Sequence, residues 1–319
     1  MINIYIPYTS RFLAVNMNLF LLTKKHPEWF QYETNIASAY GSFAHCIWNG
    51  GRTLHGDKVT EDDVYNTMTL YNSLGIRFRL TFTNSFVTEE HLNDEYANMI
   101  LDVASESGIN EVLVNNDIIE NYIKNKYPGK FEFIQSVTKC VRDIDIINED
   151  CKKYKLVVID YRDGRDDNFL KQILDKNSAE IMLNDICNFY CTQRLEHHKD
   201  VQRFILADSD IDKAREIGFV GINCPYKWIH YSGKASIKEF TEFIESDKLG
   251  TLTRERFEQV YDLGFRHFKF VGRDFDAYVL ALTYAYYLSK DEYKQEFLMG
   301  ILNKPLTETL EELEDYYLD

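Results

Sequence analysis

A chain of 319 residues with a formal net charge of −15, 51 acidic against 36 basic residues, has no broad positive field with which to hold nucleic acid or an anionic membrane. With 45% hydrophobic and 14% aromatic residues it has ample material for a core, as one large domain or two small ones. No apolar run approaches the roughly 18 residues that span a bilayer, and Met1 to Tyr8 reads as a strand, not a leader, so a cytoplasmic protein is expected.

Short apolar strands alternate with helical patterns, the signature of parallel βαβ units. In chain order the predicted strands are Asn3–Tyr8, Asn35–Gly41, Arg77–Phe82, Glu111–Asn115, Phe131–Ser136, Leu156–Tyr161, Glu180–Asp185 and His267–Gly272. Runs such as Leu156 to Ile159 are apolar on both faces, as strands covered by helices must be. Between them, residues 60–74 open on Thr60-Glu-Asp-Asp and close at Gly75. Residues 88–107 place Leu92, Tyr96, Met99, Ile100 and Val103 on one face before Gly108. Residues 252–263 end at Gly264, and Phe275–Leu288 is almost wholly apolar.

Eight such strands favour a closed (β/α)8 TIM-like barrel over residues 1–290. The competing open sheet lacks a dinucleotide fingerprint, because no Gly-x-Gly-x-x-Gly follows a strand. The connection between the seventh and eighth strands, 186–250, is far longer than an ordinary βα loop, and such loops usually carry function. Residues 291–319 form an acidic, helical tail, expected to be exposed.

Barrel enzymes work at the C-terminal ends of their strands. The predicted strands put Arg52, Asn115, Arg162, Asn184 and Arg273 there. Arg52, Arg162 and Arg273 present planar forks suited to a carboxylate or phosphate, or else salt-bridge to Asp163, Asp185 and Asp274. Five of the six cysteines fall on this face or in the insertion: Cys46, Cys140, Cys187, Cys191 and Cys224; Cys151 sits on a predicted helix. In a cytoplasmic chain these are buried, catalytic or metal-binding and not a disulfide framework. Cys187 and Cys191, four residues apart, can share a metal. Zinc held with His197 or His198 is one possibility, and a four-iron, four-sulfur cluster on Cys46, Cys187, Cys191 and Cys224 is another. Position 194 is Arg, which rules out the radical-SAM spacing. Asp160 and Asp185 are candidate general bases, with no paired-carboxylate spacing to single them out. There is no Gly-x-Ser-x-Gly, His-Glu-x-x-His or P-loop.

Two segments in order, Ile181-Met-Leu-Asn-Asp-Ile-Cys187-Asn-Phe-Tyr-Cys191-Thr-Gln-Arg194-Leu-Glu-His197 and Phe268-Lys-Phe-Val-Gly-Arg273, resemble the collagenase-like peptidase family U-thirty-two, as does Leu113-Val-Asn115. The resemblance spans roughly residues 1–290. It implies a TIM-like barrel with Asn184, Arg194, His197 and Arg273 at the catalytic end, and Arg52, Asn115, Arg162 and Arg273 holding substrate. Several family members resemble one another as iron–sulfur proteins of oxygen-independent hydroxylation, which implies a cluster here on Cys187 and Cys191, with Cys46 and Cys224 completing it. The chain departs from the pattern at Thr192, where many members have Pro, and in its cysteine spacing. Three functions are therefore expected to compete: an iron–sulfur enzyme acting on a small or aromatic substrate, a metal-dependent hydrolase or peptidase, and a non-catalytic binding scaffold. The partners expected are a small-molecule or peptide substrate and a related barrel or second copy, with no nucleic acid and no membrane.

Overall fold

The computed structural model describes residues 1–52, 56–108, 110–222, 237–272 and 275–317. Cys224 and Arg273 therefore lie outside the described residues. Eight parallel strands close on themselves: β1 (Ile2–Pro7), β2 (Thr34–Gly41), β3 (Arg77–Leu80), β4 (Asn110–Val114), β5 (Phe131–Gln135), β6 (Leu156–Ile159), β7 (Ala179–Met182) and β10 (His267–Lys269). Around the barrel the order is β1-β10-β7-β6-β5-β4-β3-β2. All eight predicted strands are these strands, in sequence order, and the fold is the expected (β/α)8 barrel.

The seventh strand is shorter than its pattern. It ends at Met182, and after Leu183 the chain starts β8 (Asn184–Asn188), which leaves the barrel and pairs antiparallel with β9 (Leu249–Thr251). This two-stranded ribbon is the neck of the 186–250 insertion. It sits tight against the barrel: a Cβ at Gly250 would overlap the Tyr161 ring, so only glycine fits there.

Alternation along each strand sorts the core into two. Ile4, Phe78, Val112, Val157, Ile181 and Phe268 point outward and join the helices in the main core. Tyr5, Tyr40, Leu113, Ile134, Leu156, Val158 and Met182 point inward and form a separate apolar cluster within the barrel. The helices start where capping chemistry puts them. Thr60 and Asp63 exchange side-chain and backbone hydrogen bonds in a capping box that opens Glu61–Ser73. Gly75, at φ +74, lets the chain leave that helix.

The tail packs rather than standing free. Helices Lys294–Leu302 and Leu306–Tyr317 both contact Leu13–Lys25, and Phe297, Ile301 and Leu313 are buried in the main core. Asn18, buried on Leu13–Lys25, donates through Nδ2 to the Ile301 carbonyl at 2.7 Å, tying the tail to the barrel shell. Among the described residues no helix is long and apolar enough to cross a membrane.

Candidate active site at the barrel mouth

The C-terminal ends of the strands surround a cavity of about 60 Å³. Its floor is Tyr40, Leu113, Met182, Lys269 and Val271. One wall carries hydroxyls from Thr81, Thr83, Ser136 and Thr138, and the other carries Arg52, Asp185, Arg194 and His198. The cationic wall is made by the insertion and the β2 loop. Gly50 brings that loop in: a Cβ there would lie 2.5 Å from the Thr83 carbonyl, so the loop and the β3 end touch backbone to backbone.

Arg194 opens the helix Arg194–Leu206 and is buried. Its Nη2 donates to Asp185 Oδ2 at 2.9 Å, its Nε lies 3.7 Å from Asp160 Oδ2, and its guanidinium stacks 4.3 Å from the Tyr161 ring centroid. Burial favours the neutral form of Arg194, but Asp185 and Asp160 more than reverse this and hold it charged. Burial likewise pushes Asp185 up, yet Arg194, then Arg52 and the Cys187 N–H, leave its pKa below the usual carboxylate range. His198 follows Arg194 by one helical turn, on the same face. Burial first, then Arg194 and Arg52, drives its pKa well below the ordinary imidazole value, so it is neutral at physiological pH.

Three buried side-chain atoms of this pocket have no hydrogen-bond partner in the protein: Arg194 Nε, His198 Nε2 and Thr83 Oγ1. Leaving a buried polar atom unsatisfied costs about 1–3 kcal/mol. Such atoms gathered around one cavity mark a place where bound water or a ligand completes the bonding.

The other expected site residues fall differently. Asn184 is a clamp: its Nδ2 donates to the Val271 carbonyl at 2.6 Å and its Oδ1 accepts from Val271 N–H at 2.7 Å, holding the ends of β7 and β10 together. Arg162 is locked to Asp160 through two bonds of 2.8 and 2.9 Å and does not line the cavity. Asn115 donates to Thr138 Oγ1 at 3.1 Å, one step behind the hydroxyl wall. His197 stacks on His198, with ring centroids 6.4 Å apart, but stands outside the cavity. Arg52 and Arg194 do line it. Asp185, His198, Lys269 and the hydroxyls complete it; the assignment of substrate-holding residues from sequence had passed over His198, Lys269 and the hydroxyls. A signal for Lys269 existed, because a cation between two phenylalanines on an inner strand must point into the barrel.

The cysteines do not converge as a four-thiol set among the described residues. Cys187 and Cys191 are electrostatic neighbours at the rim, where burial and Asp185 push the Cys187 thiol up to about 11. Cys46 lies elsewhere, in the core beside a small cavity lined by Phe43, His45, Asn49, Ile205, Asp208 and Ser209. Its thiol, pushed up to about 11 by burial, is a hydrophobic filler. Among the described residues no three His, Cys, Asp or Glu side chains gather as a metal-ligand group. Cys224, the fourth predicted cluster ligand, lies outside the described residues, and among the described residues Cys187, Cys191 and a histidine do not form a three-ligand group.

No protein-family model and no curated protein matches the chain. Among solved structures, the U32 peptidase Mk0906 is similar over 86% of this chain and 94% of its own, at 12% identity and a TM-score of 0.49.

Proposed function

We propose that this barrel is an enzyme that binds a small carboxylate-bearing substrate in its mouth and uses His198 to take a proton, either from the substrate or from a water held against it. The observation that carries this reading is the pair of buried atoms without a hydrogen bond, His198 Nε2 and Thr83 Oγ1, on two residues that line one cavity with Arg52 and Arg194. Arg52, Arg194 and Lys269 line the pocket with Asp185, while Asp160 and Glu180 stand beside Arg194 and Lys269 at 3.7 and 3.6 Å. A carboxylate on the ligand would meet the Arg52 and Arg194 guanidiniums that line the cavity. A neutral imidazole beside it is the usual form of a general base. The cavity's volume suits the polar head of a small molecule better than a folded partner.

The iron–sulfur reading keeps Cys187 and Cys191 as neighbouring thiols, with Cys224 outside the described residues, and the proposal routes no step through a metal. The peptidase reading survives as one form of the same chemistry, with water as the proton donor to His198 and a peptide's C-terminal carboxylate on the arginines.

The test is calorimetry and thermal shift with acetate, lactate, succinate and a dipeptide on the intact protein, followed by Arg52→Gln and His198→Gln. Binding of at least one of these, weakened in both variants, is the expected result. No binding by the wild type, or binding untouched by both substitutions, would overturn the proposal.

A further inference from the structure

The two walls of the mouth pocket come from segments far apart in sequence, and the insertion delivers Arg194 and His198 to one of them. What holds the insertion's helix in place decides whether Arg194 and His198 reach the pocket at all. The surface pair at the far end of the helix, His45 Nδ1 with Asp208 Oδ1 at 2.7 Å, is exposed to solvent on both partners and screened accordingly. Arg203, one turn from the helix end, lies 4.5 Å over the Phe86 ring and adds packing.

The buried contact is at Gln202, which is 1% exposed and stands one helical turn beyond His198 on the same face. Its Oε1 accepts from the Ser85 N–H at 3.2 Å and from the Ser85 hydroxyl at 2.5 Å. Its backbone carbonyl accepts from Asn84 Nδ2 at 3.0 Å, and the same amide donates to the Ile47 carbonyl at 2.9 Å. Asn84 follows Thr83, which carries one of the unsatisfied hydroxyls, and Ile47 belongs to the β2 loop that brings in Arg52. One junction therefore joins the helix of Arg194 and His198, the Thr83 wall and the Arg52 loop.

We propose that Gln202 is the positioning residue of the mouth pocket: through Ser85 and Asn84 it sets the helix so that His198 and Arg194 face the cavity. The inference rests on the reading of the pocket given above, and it acts on geometry that exists before any ligand binds. A glutamine suits the task, because the bonds from Ser85 need only an acceptor oxygen at that length of side chain. Alanine removes that acceptor, while glutamate keeps it, its charge being stabilised by the same two donors.

The experiment compares Gln202→Ala, Gln202→Glu and Asp208→Asn by the imidazole 15N resonances of His198 and by affinity for lactate. Gln202→Ala is expected to move the His198 signals and weaken lactate binding about tenfold or more, as misplaced site residues do. Gln202→Glu should restore both, and Asp208→Asn should alter neither. If Gln202→Ala fails to fold, Ser85→Ala, which removes one of the two donors, takes its place with a smaller displacement. Unmoved His198 signals in the folded alanine or Ser85→Ala protein would overturn the inference. If the wild type binds no lactate while the signals move as expected, the positioning stands and the ligand assignment falls.

Discussion

At the end of the barrel where the strands begin, buried charge is closed into an ion-pair network; at the end where they finish, it lines an open cavity. In the lower layer Arg79, fully buried, donates to Glu111 at 2.7 Å and to Glu180 at 2.6 Å and stacks 4.1 Å from the Tyr5 ring centroid. Lys155 and Arg77 cover Glu111 and Glu132 from below, Ser38 donates to Glu111, and Tyr5 bonds His267. Glu180 Oε1 and Arg79 Nη2 make no hydrogen bond, and the Lys269 ammonium lies 3.6 Å from Glu180 Oε1. At the mouth, His198 Nε2 and Thr83 Oγ1 make no hydrogen bond within the protein, Arg194 Nε has only the Asp160 carboxylate at 3.7 Å, and His198, Thr83 and Arg194 line a cavity. Both buried polar layers thus leave atoms without a hydrogen bond, and they differ in that Arg194, His198 and Thr83 of the upper one line a cavity.

The largest effect should come from breaking the closed layer. Arg79→Met strands Glu111 and Glu180 without their shared cation, and losing one partner of a buried ion network costs about 3–5 kcal/mol. Urea unfolding measures it; a loss under about 1 kcal/mol would mean that the lower layer is not held by charge. The open layer should behave in the opposite sense. His198→Leu removes an unsatisfied nitrogen, so stability stays level or rises by about 1 kcal/mol while carboxylate binding is lost. A destabilisation as large as that of Arg79→Met would erase the contrast between the two ends.

The pH dependence sharpens it further. His198, His197 and His267 all have pKa values held below the ordinary value, chiefly by burial. Between the folded and unfolded pKa the unfolded chain binds the extra proton, so stability rises with pH in that window. Acidification below about pH 6.5 should therefore cost up to about 1.4 kcal/mol per pH unit for a fully buried imidazole such as His198. The slope should be shallower in His198→Gln; an unchanged slope would mean that this imidazole does not titrate on unfolding.

The smallest effects concern the thiols. Protein purified without oxygen should carry well below the roughly four irons of a cluster, and Cys46→Ala should leave the iron content unchanged while costing about 1–2 kcal/mol of core packing. About four irons per chain, lost in Cys46→Ala or Cys187→Ala, would restore the iron–sulfur reading.

Much of the fold was legible because strand and helix periodicities are local. The alternation of Phe268, Lys269 and Phe270 and the capping signal Thr60-Glu-Asp-Asp need no distant partner to be recognised. The end of the seventh strand was not legible. Its pattern runs on through Asn184 and Asp185, and a change of partner from the barrel to β9 leaves no mark on a period of two. The site was legible only as a face. Arg52 and Arg194 were on it, but Arg162 is neutralised by Asp160 two residues away, and Asn184 is spent on Val271. Adjacent histidines gave no way to choose: the face that Gln202 docks brings His198, not His197, to the cavity.

The sequence by itself determined that eight strands would alternate with helices, that a long insertion would follow the seventh, and which residues would stand at the strand ends. These follow from the residue pattern within each segment. Only the tertiary structure decided which polar atoms remain unsatisfied once buried, which cysteines stand together, and which histidine faces the cavity. Each of those depends on partners brought from distant segments, and a hydrogen bond left unmade can be counted only after every available partner has been placed.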